Sequence, residues 1–304
     1  MRRLLLILFL ILSVVNVSAV DVSAQQRVLR VDDFPVVIRY LESDQKVADK
    51  VSSVATDAIP RLLDELGLSR MTSVNVVLIS DMDAFRREQN VRLPSWGVAF
   101  ALMGNQVMIV DVRRATNAMN TLEKVIPHEL SHLLVAQRAE GVALPVWFVE
   151  GLAMWQAREW TLLEHWRLME AVWGRRAVTL AHIREGLPAG EAQARDAYRI
   201  AYVGFTERFG DEIDLLSAFL DQVVRSGDFG VAFEEFWGES EIEYYTRSAQ
   251  ALDRKYRSGL LLFQTGPLFT LMAFLFLFVI LRIYIRNRRN LKKMEDSESW
   301  PEAR

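Results

Sequence analysis

The sequence predicts an α+β protein with three parts: a small α/β sheet domain at residues 25–112, an α-helical lobe at residues 113–257 and a C-terminal transmembrane helix at residues 260–281. Three observations support this prediction. Short β-branched segments alternate with helical patterns in the first part. The second part has helical spacing of its apolar residues almost throughout. The third part has 22 residues without a charge, which is long enough to cross a bilayer.

Composition limits the class of protein. The chain has 304 residues, 51% of them hydrophobic, which is enough to bury the core of one or two globular domains. The net charge of −3 gives no support for a nucleic-acid partner, and we expect none. Cysteine is absent, which excludes thiolate metal ligands and disulfide bonds. This composition is compatible with an exported bacterial protein that does without disulfides.

The N-terminus has the pattern of a secretory signal peptide at residues 1–24. Two arginines precede an apolar run over residues 4–20, and small residues then offer cleavage sites after Ala19 and Ala24. An uncleaved N-terminal anchor is the alternative interpretation. In both cases the chain that follows leaves the cytoplasm.

The α/β domain is predicted element by element. Asp81 is suited to cap a helix, Gly67 to end one, and Gly104-Asn105 to turn a hairpin. Ser43 or Asp44 can cap the longer helix, and Pro60 kinks or divides it. The expected elements are strands at 36–40 and 74–80, helices at about 44–67 and 82–89, and a hairpin across 97–110.

The helical lobe contains the motif that carries the chemistry, His128-Glu129-Leu-Ser-His132. Positions i and i+4 of a helix lie on one face, so the two imidazoles can hold one metal ion. Glu129 lies beside the first of them and can take a proton from a metal-bound water. Two ordinary core or surface histidines are the alternative. Pro127 predicts that the helix begins just before the motif or is kinked there.

A third candidate ligand follows 18 residues after the motif. Glu150 lies in the strongly apolar segment 147–155, where an isolated carboxylate is costly unless it is paired or bound to metal. A solvent-facing acid near a helix N-terminus is the alternative. One carboxylate with two neutral imidazoles suits a single Zn²⁺ per chain, although cobalt can substitute. His165 and His182 have no partner at ligand spacing, and we expect them to be structural.

The two motifs, His128-Glu-Leu-Ser-His132 and Glu150-Gly-Leu-Ala153, together resemble the gluzincin metallopeptidases, in particular the peptidase MA-like group. The resemblance covers about residues 30–257 and implies a zincin-like helical lobe with a site similar to that of thermolysin. It implies that His128, His132 and Glu150 bind zinc and that Glu129 is the general base of peptide hydrolysis. Segment 197–210 is also similar to a tyrosine-containing helix of these proteins.

Two tyrosines of that segment are candidates to stabilise an oxyanion. Tyr198 is preferred on the resemblance, and Tyr202 lies one helical turn away. An ordinary core tyrosine is an equally good interpretation of either residue. Tyr198 is therefore the weaker of the two predicted catalytic residues, the other being Glu129.

One position departs from the family pattern. Many relatives carry an acid four residues after the glutamate ligand, and in thermolysin-like sites that acid orients a ligand histidine. This chain has Met154 there. Either another group orients His128 or the site is weaker than usual. A zinc-binding but catalytically degenerate envelope scaffold or chaperone-like factor therefore stays open, as does a binding module without metal.

The C-terminal segment predicts orientation as well as a membrane anchor. The apolar segment 260–281 is followed by a basic tail at 282–304, and the more basic flank is expected to stay in the cytoplasm. A buried core helix is the alternative. We therefore expect a single-pass protein of the cell membrane whose catalytic body is periplasmic or extracellular. Its expected partners are the membrane and a peptide or protein substrate, while the sequence identifies neither cleavage specificity nor oligomeric state.

Overall fold

The computed structural model describes residues 26–31, 34–89, 97–174, 178–210, 213–264 and 266–298. The predicted signal peptide at 1–24 lies outside the described residues. The chain divides into two compact units, Met1–Ala251 and Leu252–Arg304. The fold is mixed α+β, as predicted.

A five-stranded sheet forms the N-terminal part of the first unit. Its strands lie in the order β1-β2-β3-β5-β4. The two inner pairs, β2 with β3 and β3 with β5, are parallel, and the two outer pairs are antiparallel. The predicted strands and the predicted hairpin are confirmed, whereas β1 was not predicted. The bounds are β1 Gln26–Arg30, β2 Val36–Leu41, β3 Val74–Ile79, β4 Ala99–Leu102 and β5 Val107–Asp111.

Two helices connect these strands. Helix α1, Gln45–Glu65, runs past Pro60 without dividing. Asp44 precedes it but makes no capping hydrogen bond to the helix backbone, because its carboxylate accepts from the hydroxyls of Ser43 and Ser80. The shorter helix α2, Met82–Glu88, is capped as expected, with the Asp81 carboxylate accepting from the backbone N–H of Ala84.

The helical lobe follows the sheet and has an aromatic core. The ring of Phe148 packs against those of Phe205, Phe209, Phe219 and Phe229, with centroids 5.2–5.9 Å apart. Such pairs supply most of the apolar area that a helical core buries. The helices are α3 Val112–Asn117, α4 Leu122–Arg138, α5 Val146–Gln156, α6 Leu162–Trp173, α7 Glu191–Phe209, α8 Asp214–Ser226, α9 Phe229–Trp237 and α10 Glu241–Gln264.

The start of α4 differs from the prediction. The helix begins at Leu122, more than a turn before Pro127, which therefore lies inside it. A proline there removes one helical hydrogen bond and costs about 3 kcal/mol. Leu122 and Ile126 are completely buried. Burial of these side chains, which the local rule for proline ignores, favours the longer helix.

The second unit contains the end of α10 and helix α11, Gly266–Glu298. Residues Phe269–Arg286 are long and apolar enough to cross a membrane, with a mean hydropathy of 2.0 and no residue buried. This segment overlaps the predicted span 260–281 but lies nearer the C-terminus. The displacement arises because α11 begins only at Gly266 and because Ile283 and Ile285 extend its apolar surface.

Candidate metal centre

The three predicted ligands converge. Helix α4 presents His128 and His132 one turn apart, with ring centroids separated by 4.8 Å. Helix α5 brings Glu150 to the same place: its Oε2 lies 3.4 Å from Nε2 of His128 and 3.5 Å from Nε2 of His132. The three side chains are only 11–13% exposed. One ligand atom from each residue lies within 4.8 Å of the others, so the group can hold a metal ion.

The donor set fits a small divalent cation. Oε2 of Glu150 is buried and has no hydrogen-bond partner among the described residues. A buried carboxylate oxygen in that condition is costly unless a cation neutralises it. Zinc ligands 2.0–2.1 Å from the metal in a tetrahedron are separated by roughly 3.3–3.4 Å. The two oxygen–nitrogen distances, 3.4 and 3.5 Å, agree with that spacing.

The electrostatics of this group also favour a cation. Burial opposes the charged form of His128, but the carboxylates of Glu159, Glu150 and Glu129 outweigh it and raise the pKa of the imidazole well above 6.5. Burial likewise opposes the charged form of Glu150, yet His132 and His128 lower its pKa to about 2. A proton on His128 thus supplies positive charge that a metal would supply in its place.

Glu129 lies beside this group without belonging to it. It follows His128 directly on α4, and its carboxylate accepts a hydrogen bond from the backbone N–H of Ala101 on β4. Burial raises its pKa, and the two histidines oppose that shift only in part. A carboxylate with a raised pKa is better suited to take and return a proton near neutral pH than an ordinary glutamate.

The two candidate tyrosines occupy different places. The ring of Tyr198 lies 6.3 Å from that of His128. Burial, followed by the charges of Glu150 and the other carboxylates, raises the pKa of Tyr198 well above 10. Tyr202 instead stacks on Trp160, with centroids 4.3 Å apart and the rings nearly parallel. Tyr198 is therefore the tyrosine that adjoins the ligand group.

A close contact between α5 and α7 brings Tyr198 there. A Cβ on Gly151 would lie 2.4 Å from the carbonyl oxygen of Ala201 and 2.6 Å from Cβ of Phe205. Glycine is needed because no larger residue permits the backbones to approach so closely. The residue after Glu150 thus sets the distance between the helix that carries this ligand and the helix that carries Tyr198.

Sequence reasoning missed one acidic residue. Oε1 of Glu159, which follows α5, lies 3.0 Å from Nδ1 of His128. Met154, at the position where the gluzincin pattern has an acid, is an apolar side chain only 5% exposed. No spacing rule marks Glu159, since it lies nine residues after Glu150 and beyond the end of the helix. The only available signal was the expectation that some group orients His128.

The other two histidines lie elsewhere. His182 caps a short helical turn, with its Nδ1 2.7 Å from the hydroxyl of Thr179. His165 contacts the ring of Trp160. Both contacts agree with the structural roles expected for these residues.

No protein-family model matches the chain, and no curated protein matches it.

Proposed function

We propose that this protein is a membrane-anchored zinc metallopeptidase of the gluzincin type. The observation that carries the proposal is the convergence of His128, His132 and Glu150 beside Glu129, which lies outside the ligand group. A purely structural zinc site is closed by four protein ligands, whereas this group offers three among the described residues and leaves a position for water. A separate buried carboxylate is what a hydrolytic site needs as its base.

His128, His132 and Glu150 would hold the zinc. When bound, the metal would supply Lewis-acid polarisation of the scissile carbonyl and would make water more acidic. Glu129 takes the proton from the attacking water and passes it to the leaving amine. During the attack, before the amine leaves, Tyr198 donates a hydrogen bond to the carbonyl oxygen on which negative charge develops. The raised pKa of Tyr198 keeps the hydroxyl protonated for this role.

The end of the sheet favours a peptide as the substrate. Strand β4 pairs with β5 on one side and is the last strand of the sheet among the described residues. Its residue Ala101 donates to Glu129, so this sheet edge adjoins the proposed base. An exposed edge strand can pair with an extended peptide through backbone hydrogen bonds. Such pairing would place a peptide backbone next to Glu129.

The proposal includes a location for the protein, which is argued from its C-terminal helix. In the part of the chain that the structure describes, one helix is long and apolar enough to span a membrane, and the basic residues that follow it favour a cytoplasmic C-terminus. We therefore place the catalytic body on the outer side of the cell membrane.

The competing interpretation, an inactive zinc-binding scaffold, depended on the missing acid at Met154. The contact between Glu159 and His128 weakens that reason, because an acid reaches the histidine from elsewhere.

The test uses the full chain purified in detergent and incubated with an unbiased peptide mixture, with cleavage products identified by mass spectrometry. We expect one equivalent of zinc per chain and hydrolysis that a chelator abolishes and zinc restores. Glu129→Gln should bind zinc normally but lose activity by at least about 10³-fold. The matched control is Glu123→Gln, since Glu123 lies on the same helix and makes only a surface ion pair with Lys50. Full activity in the Glu129 variant would refute the proposed base.

A further inference from the structure

The geometry points to Glu159 as the residue that orients His128 for metal binding, delivered by the C-terminal cap of the helix that carries Glu150. This inference rests on the proposed metal site. It assigns to the end of α5 a role that the family pattern assigns to the side chain at Met154. Glu159 is thus a positioning residue, because it acts on the metal site through its contact with His128.

The two ring nitrogens of His128 face different acids. Nδ1 lies 3.0 Å from Glu159, and Nε2 lies 3.4 Å from Glu150. An imidazole binds a metal through one nitrogen, and a carboxylate on the other nitrogen fixes both the tautomer and the ring orientation. The contact with Glu159 has hydrogen-bond length but not hydrogen-bond alignment, since Nδ1 has no partner of acceptable angle.

The backbone that holds Glu159 has the form of a Schellman motif. Helix α5 ends at Gln156, and the chain then turns through Arg158, which has a left-handed φ of 53°. The N–H of Arg158 donates to the carbonyl of Trp155 at 3.1 Å, and the N–H of Glu159 donates to the carbonyl of Met154 at 3.0 Å. These are the two hydrogen bonds that define the motif. The cap reverses the chain and returns Glu159 toward α4.

Met154 therefore takes part through its main chain. Its side chain is apolar and buried, and its thioether sulfur is only a weak, uncharged acceptor. Its carbonyl oxygen instead holds the backbone of the acid that contacts His128. The same helix thus supplies the third ligand from its first turns and the orienting acid from its cap. This explains how the site keeps an acid on His128 although the usual position lacks one.

His132 provides an internal comparison. Among the described residues its ion-pair contact is through Nε2 to Glu150, and no carboxylate contacts its Nδ1 as Glu159 contacts Nδ1 of His128. The orienting acid is specific to His128. Removing it should weaken the ligand group through one histidine while leaving His132 and Glu150 in place.

The experiment measures zinc affinity of the full chain in detergent by competition with a chromophoric chelator. Glu159→Gln keeps the shape of the side chain and removes its charge. We expect a 10–100-fold weaker zinc affinity, the usual effect of losing an orienting partner. The matched control is Glu170→Gln, an exposed glutamate on α6, which should change affinity less than about twofold. The visible spectrum of Co²⁺-loaded protein should change with Glu159→Gln and not with Glu170→Gln.

A second variant tests whether the loss of zinc affinity is due to the missing charge or to a structural change. Glu159→Asp retains the charge and should recover part of the lost affinity. Wild-type zinc affinity in Glu159→Gln would overturn the inference, as would an affinity loss accompanied by unfolding of the metal-free variant. Failure of the proposed function looks different: the unaltered protein itself would then bind no stoichiometric zinc.

Discussion

The backbones of Gly151 and Ala201 meet so closely that a methyl group on the glycine would lie 2.4 Å from the alanine carbonyl oxygen. This contact joins α5, which carries a predicted metal ligand, to α7, which carries Tyr198. The distance between the two helices is therefore set by a hydrogen atom in place of a side chain.

Gly151→Ala should destabilise the protein because the added methyl group forces α5 and α7 apart. Overpacking of this kind costs about 1–3 kcal/mol. The melting temperature should fall by roughly 2–4 °C for each kcal/mol. Gly104→Ala is the matched control, because nothing lies within 4 Å of a Cβ at that position. Equal melting temperatures for both variants would show that the contact is not tight.

Tyr198→Phe should lower kcat on a peptide substrate by about 10²-fold, because the hydroxyl stabilises charge that develops only in the transition state. KM and zinc affinity should change little. Tyr202→Phe serves as the comparison and should retain most activity, since the stacking of this ring on Trp160 does not need the hydroxyl. A larger loss in the Tyr202 variant than in the Tyr198 variant would reverse the assignment.

Stability of the metal-free protein should depend on pH in a defined direction. Burial lowers the pKa of His128, but nearby carboxylates, with Glu159 the strongest, raise it well above 6.5 in the folded state. A raised pKa stabilises the fold fully below 6.5, and this contribution disappears as pH rises through the folded value. Burial also raises the pKa of Glu129, which acts in the same direction.

Glu150 determines how the stability of the metal-free protein changes at low pH. Burial opposes its ionisation, but His132 and His128 lower its pKa to about 2, below the ordinary 4.5. Its contribution is present above pH 4.5 and is lost as pH falls toward 2. Thermal unfolding of chelator-treated protein should therefore show a maximum near pH 4.5–6.5 and declining stability above it. Zinc-loaded protein should not show the alkaline decline, because metal replaces the protons. Parallel pH profiles with and without zinc would contradict this.

The backbone at Arg158 offers a test that leaves every site side chain intact. Arg158→Gly and Arg158→Val both remove the guanidinium, but only glycine accepts the left-handed φ of 53° without strain. We expect the valine variant to displace Glu159 and weaken zinc binding about 10-fold. The glycine variant should bind zinc as the unaltered protein does. Identical affinities would mean that the cap does not position Glu159.

The ligand group could be predicted from the sequence because the positions of its residues depend on local features of the chain. Helical periodicity alone places His128 and His132 on one face, and the cost of burying an isolated acid singles out Glu150. The sheet strands followed from β-branched runs, apart from β1. The early start of α4 was missed because tertiary burial of Leu122 outweighed the local penalty of a proline. Glu159 was missed because a helix cap determines its direction, and cap geometry at a non-glycine residue leaves little trace in sequence.

The orienting acid also bears on how family patterns transfer to this chain. The gluzincin pattern has an acid at the position of Met154. The proposed metal site needs a negative charge beside His128, whichever residue supplies it. Here the charge reaches His128 from five residues farther along the chain. An acid beside His128 therefore does not require an acidic side chain at position 154.

The candidate ligands on α4 and α5 are also close to one another in the sequence. His132 and Glu150 are 18 positions apart, and helices α4 and α5 are joined by residues 139–145 alone. A metal bridging them would close a loop of a size for which a cross-link is worth about 3 kcal/mol of chain entropy. The aromatic core around Phe148 is built from rings other than the candidate ligands. We therefore expect the metal-free chain to fold, and the metal to add the stability of a closed loop when it binds.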